Sequence, residues 1–218
     1  MEIGMITIGQ SPRSDVVEEI KEILGQVQIV ERGCLDELTN EQIESLKPEE
    51  REPFLVTVLR DGSSVQVSKE KTVQLLQQRI KELENKDVIS IVLLCTGDFS
   101  NLESKKLLIA PGKLIRRLVE AMLTTEEKLG VIVPCCEQIG QTQKKWSHLN
   151  PVVEAASPYD NSARIQEAAK KLQAQNVDLT VLDCIGYTIH MKQTVKEITG
   201  KPVILARTLL AGVLRELC

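Results

Sequence analysis

Two cysteines of this sequence share a local pattern that could support proton transfer. Cys95 and Cys184 each follow a run of apolar residues, and each is followed two positions later by glycine, Gly97 or Gly186. An ordinary thiol, with a pKa near ~8.5, is only a few per cent ionised at neutral pH. A place beside the N-terminus of a helix favours the thiolate, because the free N–H groups and the helix dipole stabilise negative charge.

Two such thiols facing one cavity would permit a specific reaction. One thiolate removes a proton from the carbon next to a carboxylate, and the other thiol returns a proton to the opposite face. This general acid–base catalysis needs no cofactor, but the carbanion must be stabilised by hydrogen-bond donors directed at the carboxylate. The opposing interpretation is that both cysteines are small buried hydrophobic residues, since free cysteine is among the most buried residue types.

Donors for a carboxylate occur where the apolar runs end. The side chains of Ser11 and Arg13 are of the right type, and so are the backbone amides of the two Cys-x-Gly segments. Arg13 lies near a predicted helix start, where a cation is disfavoured unless an anion binds beside it. The alternative for Arg13 is an ordinary solvated surface arginine. The residues predicted to line the substrate are Gln10, Ser11, Arg13, Thr96, Gly97, Gln138, Gly186 and Tyr187.

The elements that must position these residues alternate between strand and helix. Short apolar runs that stop at Gly, Ser or Pro are typical of buried parallel strands, and the amphipathic stretches between them predict helices. The predicted strands are residues 3–8, 27–32, 88–94, 128–133, 152–155, 179–182 and 203–205. The predicted helices are residues 14–24, 38–46, 69–84, 112–123, 138–146, 162–175, 188–199 and 207–217.

Two local features add detail to this pattern. Residues 54–59 and 64–67, separated by a turn at 60–63, predict a β-hairpin that interrupts the alternation. Thr39 and Gln42 have the spacing of a capping box at the start of the second helix.

Alternation of strand and helix predicts an α/β fold with mainly parallel sheets. Because the two Cys-x-Gly segments lie about half the chain apart, we expect two similar α/β lobes facing each other across an active-site cleft. The expected unit is the whole chain, 1–218, with approximate lobes 1–110 and 111–218. The C-terminal helix is a candidate to return to the first lobe.

Ligands of open α/β sheets bind beyond the carboxyl ends of the strands. Residues with polar or thiol side chains follow four of the predicted strands. These strand exits are residues 9–13, 95–98, 134–138 and 183–187.

Composition and motifs exclude several functions. The 218 residues include 27 Lys+Arg against 31 Asp+Glu and only 2% aromatic residues, which argues against a nucleic-acid partner. The apolar runs are far shorter than the ~20 residues that span a bilayer, and the N-terminus lacks the charge of a signal peptide. We therefore expect a cytoplasmic protein with no membrane partner. Phosphate motifs are absent, and His148 and His190 lack metal-ligand spacing, so neither a metal nor another cofactor is expected.

The six cysteines do not have the spacing of a disulfide framework, since Cys135 and Cys136 are adjacent and Cys218 is C-terminal. In a reducing compartment such cysteines are buried thiols, metal ligands or catalytic groups. A redox sensor built on Cys135 and Cys136 is the weakest alternative, because vicinal disulfides are strained.

Seven segments of the sequence resemble the AroM proteins. They are IGQSPRSD at 8–15, GCLDELT at 33–39, LVTVLRDG at 55–62, LLCTGDF at 93–99, VIVPCCEQ at 131–138, KW at 145–146 and LDCIGYT at 182–188. AroM proteins resemble the aspartate/glutamate racemase superfamily, which implies two pseudo-symmetric α/β lobes with one catalytic cysteine from each. That superfamily includes cofactor-independent amino-acid and hydantoin racemases, maleate isomerase and arylmalonate decarboxylase.

The resemblance also implies roles for single residues. Cys95 matches the cysteine of the first lobe and Cys184 that of the second, while Ser11 matches a serine that binds the substrate carboxylate. Thr96 matches a residue of the first cysteine loop. However, Cys95 is followed by Thr-Gly where racemases usually have Asn-Thr, and Cys184 by Ile-Gly-Tyr where glutamate racemases have Thr-His. These departures weigh against racemisation of an amino acid and favour proton transfer at another acid.

The leading hypothesis is a cofactor-independent racemase, isomerase or decarboxylase acting on a small carboxylate metabolite. Cys95 and Cys184 would be its acid and base. The alternative is a metabolite-binding or regulatory protein on the same fold, which would keep the anion donors without needing both thiols. The sequence names no substrate, and a homodimer is the commonest assembly for such a chain.

Overall fold

A computed structural model describes residues 2–99 and 101–218 of the chain. The chain divides into two units, Met1–Ala110 with Cys218 and Pro111–Leu217. Each unit contains a four-stranded sheet, and the first also contains a two-stranded hairpin. The strands of both four-stranded sheets are parallel throughout. The predicted α/β fold with mainly parallel sheets is therefore confirmed.

The sheet of the first unit is centred on two strands whose residues are almost wholly buried. β1 (Glu2–Thr7) pairs with β2 (Gln28–Gly33) on one side and with β5 (Ser90–Leu94) on the other. β6 (Leu107–Ile109) extends the sheet beyond β5. The apolar runs of β1 and β5 fit this position, since central parallel strands are covered on both faces.

Three helices accompany this sheet: α1 (Ser14–Leu24), α2 (Asn40–Glu44) and α3 (Lys69–Glu84). The predicted capping box at the start of α2 is confirmed. The Gln42 amide donates to the Thr39 hydroxyl over 3.3 Å, and the Thr39 amide donates to the Gln42 side chain over 2.8 Å. These bonds satisfy N–H groups that a helix start leaves without partners.

The hairpin of the first unit consists of β3 (Phe54–Val58) and β4 (Ser64–Ser68), which pair antiparallel as predicted. The Leu59 amide donates to the Ser63 carbonyl over 2.9 Å and closes the turn. Gly62 has a φ of +85° within this turn, a conformation that glycine adopts without steric cost.

The second unit repeats the alternation of strand and helix. Its strands are β7 (Leu129–Val133), β8 (Val152–Ala155), β9 (Leu179–Leu182) and β10 (Val203–Leu205). Its helices are α4 (Pro111–Met122), α5 (Ile139–Lys145), α6 (Ser162–Ala174), α7 (Ile189–Thr199) and α8 (Ala206–Leu217). The C-terminal helix α8 packs within this unit, against α4 and β10.

Both four-stranded sheets have the same strand order when the strands are counted within their own sheet. The orders β2-β1-β5-β6 and β8-β7-β9-β10 each read second, first, third, fourth. In both units the order reverses between the first and third strands, which is where open α/β sheets bind ligands. Cys95 follows the third strand of the first four-stranded sheet, and Cys184 follows the third strand of the second.

The predicted elements agree with the observed ones within two residues at each end. β6 was not expected, because a strand of three residues is too short to show a pattern of hydrophobic residues. The predicted helix 138–146 begins instead as a 3₁₀ turn, Cys136–Gln138, and continues as α5. Short 3₁₀ turns at helix ends follow from local hydrogen bonding that hydrophobic periodicity does not report.

Candidate active site

The topology gathers the predicted site residues at one strand edge within each unit. In the first unit β1 and β5 are neighbours in register, so the segment 9–13 and the segment 95–98 leave the sheet side by side. In the second unit β7 and β9 are neighbours, so the segments 134–138 and 183–187 do the same. Each unit therefore has one cysteine turn beside the exit of its first strand.

The two cysteine turns have the same hydrogen bond. The Gly97 amide donates to Cys95 Sγ over 3.4 Å, and the Gly186 amide donates to Cys184 Sγ over 3.4 Å. Cys95 is half-buried, whereas Cys184 is buried. A hydrogen bond donated to sulfur is stronger when the sulfur carries a negative charge.

Neither glycine has room for a side chain. A Cβ on Gly97 would lie 2.9 Å from Phe99 Cζ, and a Cβ on Gly186 would lie 2.6 Å from the hydroxyl oxygen of Tyr159. The close approach of these aromatic rings to the backbone explains why glycine stands two positions after each cysteine. Thr96, between Cys95 and Gly97, is buried.

Asp36 organises the exit of the first strand, and sequence reasoning did not single it out. Its Oδ1 accepts from the Ser11 amide over 2.7 Å, and its Oδ2 accepts from the Ser11 hydroxyl over 2.7 Å. The Gly33 amide and Arg60 Nη2 also donate to this carboxylate, over 2.6 Å and 2.8 Å. The donors of Ser11 that were predicted to bind a substrate carboxylate thus bind a carboxylate of the protein.

The hairpin turn also reaches this strand exit. The Arg60 amide donates to Gln10 Oε1 over 3.0 Å, and Arg60 Nε donates to the Ser11 carbonyl over 2.7 Å. Gln10 Nε2 donates to the Leu35 carbonyl over 3.4 Å. Gln10 and Ser11 therefore lie under the turn of the hairpin, which holds them by backbone and side-chain contacts.

Arg13 is buried, with 4% of its surface exposed, so the alternative of a solvated surface arginine is wrong. Its guanidinium donates to both oxygens of the Asp15 carboxylate, over 2.8 Å and 2.7 Å, and Nη1 donates to Thr7 Oγ1 over 3.3 Å. The backbone amide of Arg13 donates to Glu31 Oε2 over 2.7 Å. The anion that offsets a cation at the start of α1 is therefore Asp15.

Tyr187 lies in the core of the second unit, where its hydroxyl donates to the Ala156 carbonyl over 2.7 Å. Burial raises the pKa of this phenol well above its usual value, and the nearby thiol of Cys184 and carboxylate of Asp183 act in the same direction. Tyr187 thus ties the end of the Cys184 turn to Ala156, after β8, as a neutral hydrogen-bond donor.

Lys145 and Asp183 form an ion pair next to Cys184. Lys145 Nζ lies 2.8 Å from Asp183 Oδ2, and only 7% of the Asp183 side chain is exposed. The same ammonium lies 5.3 Å from the centre of the Trp146 ring, which is buried. Lys145 of the Lys-Trp pair therefore has its ammonium near both the Trp146 ring and the carboxylate of Asp183, the residue that precedes Cys184.

Cys135 and Gln138 follow β7, beside the turn of Cys184. Cys135 is half-buried, and Cys136 is exposed. Burial raises the pKa of the Cys135 thiol to about 12, assisted by a hydrogen bond to the Glu137 carboxylate and by its charge. Gln138 is half-buried, and its backbone N–H donates to the Cys135 carbonyl over 3.2 Å. Cys135 thus remains a neutral thiol at physiological pH.

Arg207 is the second residue that sequence reasoning missed. It lies in the first turn of α8, only 1% exposed, and donates to the carbonyls of Ile185 and Gly186. No motif marks this residue. The only signal in the sequence is a cation at a helix start, where the dipole disfavours positive charge.

Comparison with known proteins identifies the family of the chain. Residues 3–218 match the family model described as AroM protein. The chain belongs to the AroM protein family. The matched residues of this AroM family member include both cysteine turns and Arg207. They also include Asp36 with its partners Ser11, Gly33 and Arg60, which we call the Asp36 clamp. No curated protein matches the chain.

Solved structures show that the AroM chain shares its fold with a glutamate racemase, an arylmalonate decarboxylase and a maleate isomerase. The glutamate racemase from Aquifex pyrophilus has 17% sequence identity and a TM-score of 0.57, over 100% of this chain and 84% of that one. An arylmalonate decarboxylase has 12% identity and a TM-score of 0.58, over 99% of this chain and 92% of that one. The maleate isomerase Iso from Pseudomonas putida S16 has 12% identity and a TM-score of 0.57, over 100% and 92%.

Two further properties concern the parts of the AroM chain that the structure describes. Within residues 2–99 and 101–218, no group of three or more His, Cys, Asp and Glu side chains is arranged to hold a metal ion. None of the helices formed by these residues combines the length and apolar character needed to cross a bilayer.

Proposed function

We propose that this protein is a cofactor-independent enzyme that transfers a proton at the carbon next to a carboxylate of a small acid. Cys95 and Cys184 are its acid and base. The reaction class is racemisation, isomerisation or decarboxylation.

One observation carries this proposal: the sulfur atoms of Cys95 and Cys184 each accept an amide hydrogen bond over 3.4 Å, at equivalent places in two sheets of the same topology. A single thiol of this kind would fit many reactions. Two equivalent thiols fit a reaction that removes a proton on one face of a carbon and delivers one on the other.

Fold relatives support the choice of substrate class. By their names, the three similar proteins act on glutamate, arylmalonate and maleate, and all three compounds are small carboxylic acids. Racemisation, decarboxylation and isomerisation differ in outcome, but each can be assisted by a thiol that takes or gives a proton. At 12% to 17% identity these relatives do not indicate which reaction applies here.

The proposed step balances with the two thiols alone. In a racemisation one thiolate takes the proton from the substrate carbon, and the electron pair of the broken C–H bond is held as a carbanion or enolate. The second thiol gives its proton to the opposite face and becomes the thiolate. The first cysteine is now protonated and the second is a thiolate. The starting state returns when the first cysteine releases its proton to solvent and the second takes one up, or when the enzyme turns over in the reverse direction.

Binding of the substrate carboxylate requires donors that the free protein already uses. Ser11 donates to Asp36 and Arg13 donates to Asp15, so in the proposed complex a substrate carboxylate exchanges with one of these carboxylates or binds beside them. Donors that hold a protein carboxylate at 2.7 Å have the geometry that a carboxylic acid substrate needs.

Deuterium exchange tests the proposal directly. The protein is incubated in heavy water with glutamate, maleate and an arylmalonate, and deuterium at carbon is followed by NMR and mass spectrometry. We expect uptake or turnover with a small carboxylic acid, and a loss of at least about a hundredfold in C95A and in C184A, since each removes one acid–base group. C218A, which alters an exposed thiol, is the matched control. Equal rates in wild type, C95A and C184A on a substrate that reacts would refute the assignment.

A second candidate function is a metabolite-binding or regulatory protein on the same fold. It is favoured by one observation, that Ser11 and Arg13 each hold a carboxylate of the protein, Asp36 and Asp15, through contacts that involve neither cysteine. Such a protein would bind a carboxylate without using both thiols. A C95S/C184S double variant that binds its acid as tightly as wild type, with no turnover in either, would favour this function over catalysis.

A further inference from the structure

Arg207 donates hydrogen bonds to two carbonyls of the Cys184 turn. Its Nε and Nη2 donate to the Ile185 carbonyl over 3.2 Å and 3.0 Å, and Nη2 also donates to the Gly186 carbonyl over 3.0 Å. The Ile185 carbonyl belongs to the same planar peptide as the Gly186 amide. That amide donates to Cys184 Sγ over 3.4 Å. The guanidinium and the sulfur therefore bind opposite edges of one rigid plane.

We propose that Arg207 is a positioning residue for Cys184, which holds the Ile185–Gly186 peptide so that its N–H points at the sulfur and stabilises the thiolate. The inference rests on the proposed function only in taking Cys184 as a thiol that must ionise.

Two physical effects act through this peptide. Because the peptide is planar, fixing the direction of its carbonyl also fixes the direction of its N–H. A cation bonded to the carbonyl polarises the peptide and makes the N–H a stronger donor, as in other chains of hydrogen bonds in a low-dielectric interior. Both effects favour negative charge on the sulfur at the other edge.

The position of Arg207 carries two energetic costs. Burial of a guanidinium is costly, and a cation in the first turn of α8 is opposed by the helix dipole. A neutral side chain would avoid both costs, whereas lysine would not, because its ammonium is a cation and is more strongly hydrated than a guanidinium. Arginine is suited to this place because its planar fork reaches two carbonyls at once.

Other ionisable groups surround the Cys184 turn, and the test must hold them constant. Asp183 precedes the cysteine and is paired with Lys145 of α5. Tyr187 ends the turn, and its phenol donates to the Ala156 carbonyl. Tyr159 packs on Gly186, and Cys135 follows the neighbouring strand. The following helix α7 carries the exposed His190 and the half-buried Lys192, and burial lowers the pKa of this lysine. None of these residues is altered in the variants below.

The experiment measures alkylation of Cys184 by iodoacetamide against pH in the full-length native protein, read by mass spectrometry. In R207M we expect the midpoint for Cys184 to rise by about one pH unit, which makes alkylation at pH 7 about tenfold slower. R207K keeps the charge but not the fork, and we expect a smaller rise in the same direction. In R207M the alkylation profile of Cys95 should match that of wild type. R215M alters an exposed arginine of the same helix, and its Cys184 profile should also match wild type.

The midpoint, unlike the maximal rate, does not respond to a change in the accessibility of the sulfur alone. An R207M variant that is folded by circular dichroism and has an unchanged Cys184 midpoint would overturn the proposal. If R207M does not fold, R207K tests the proposal by two measurements, the Cys184 alkylation midpoint and the NMR resonance of the Gly186 amide proton. An unchanged midpoint and an unchanged resonance in R207K would overturn it as well.

The outcomes separate this inference from the proposed function. A shifted Cys184 midpoint in R207M, with full turnover in C184A, would support the positioning role and refute the catalytic one. An unshifted midpoint, with turnover lost in C184A, would do the reverse.

Discussion

Ser11 and Asp36 are joined by two hydrogen bonds, from the Ser11 amide to Oδ1 and from the Ser11 hydroxyl to Oδ2, each 2.7 Å long. Through Gly33 and Arg60 the same carboxylate also holds the exit of β2 and the turn of the hairpin. Asp36 therefore ties together three segments that are distant along the chain. It also occupies the donors that the sequence suggested for a substrate carboxylate.

The first prediction concerns this clamp. D36N replaces one carboxylate oxygen by an amide nitrogen, which cannot accept a hydrogen bond, and removes the negative charge that faces Arg60. We expect the free energy of unfolding to fall by about 1.5–3 kcal/mol, the range for hydrogen bonds to a charged group. Urea unfolding followed by circular dichroism measures the change. D98N, which alters an exposed carboxylate beside the cysteine turn of the same unit, should leave stability unchanged, and equal stability in D36N would contradict the clamp.

The second prediction concerns the ion pair of Lys145 and Asp183. K145M leaves a carboxylate of which only 7% is exposed without its ammonium partner. We expect a loss of about 3 kcal/mol in unfolding free energy, because removal of one partner of a buried pair leaves the other charge without that partner. K144M, which changes the exposed neighbouring lysine, is the control.

A double-mutant cycle makes this prediction specific to the pair. The cost of K145M/D183N should be smaller than the sum of the two single costs by about 1–2 kcal/mol, since residues in contact couple. Additive costs would show that the two charges do not stabilise each other.

The third prediction concerns Cys135. Burial, the hydrogen bond to Glu137 and the Glu137 charge raise its thiol pKa to about 12, so the thiol stays protonated and reacts slowly at pH 8.5. E137Q removes the negative charge, and the pKa should fall. In a C136S background, which simplifies the mass spectra, we expect E137Q to speed alkylation of Cys135 by up to about tenfold. E126Q is the matched control, and a slower reaction in E137Q would contradict the assigned direction.

The fourth prediction concerns pH and Tyr187. In the unfolded chain a tyrosine ionises near pH 10, whereas burial keeps the Tyr187 phenol neutral in the folded protein. Above pH 10 the folded state therefore binds more protons, and its stability falls by up to about 1.4 kcal/mol per pH unit through this one group. At pH 8 to 9 we expect Y187F to be less stable than wild type by about 1–2 kcal/mol, the value of its buried hydrogen bond.

The difference between Y187F and wild type isolates the Tyr187 contribution from those of other groups that titrate at high pH. It should shrink between pH 9 and pH 11, as measured by urea unfolding at each pH. Y159F, which retains the Tyr187 hydroxyl, should keep the wild-type decline. A difference that is constant with pH would contradict the neutral buried phenol.

The sequence by itself determined the order and type of the long elements and the place of the two thiols. Amphipathic stretches such as those of α1 and α3 and apolar runs such as that of β5 are local patterns, and their burial follows from their periodicity. The Cys-x-Gly turns were visible because both partners of each hydrogen bond lie within three residues. The seven segments that resemble AroM proteins identified the family for the same reason, since they are short and contiguous.

Only the tertiary structure decided which charged groups meet. Asp36 reaches Ser11 across 25 positions of sequence, and Arg207 reaches Ile185 across 22. Arg13, a candidate for substrate binding from its sequence context, is buried and donates to Asp15 and Thr7, and neither contact could be read from periodicity. Hydrogen bonds between distant segments depend on strand order and loop packing, which hydrophobic periodicity does not encode. The neighbours that set the charge of a thiol are therefore decided by the fold, while the thiols themselves can be found in the sequence.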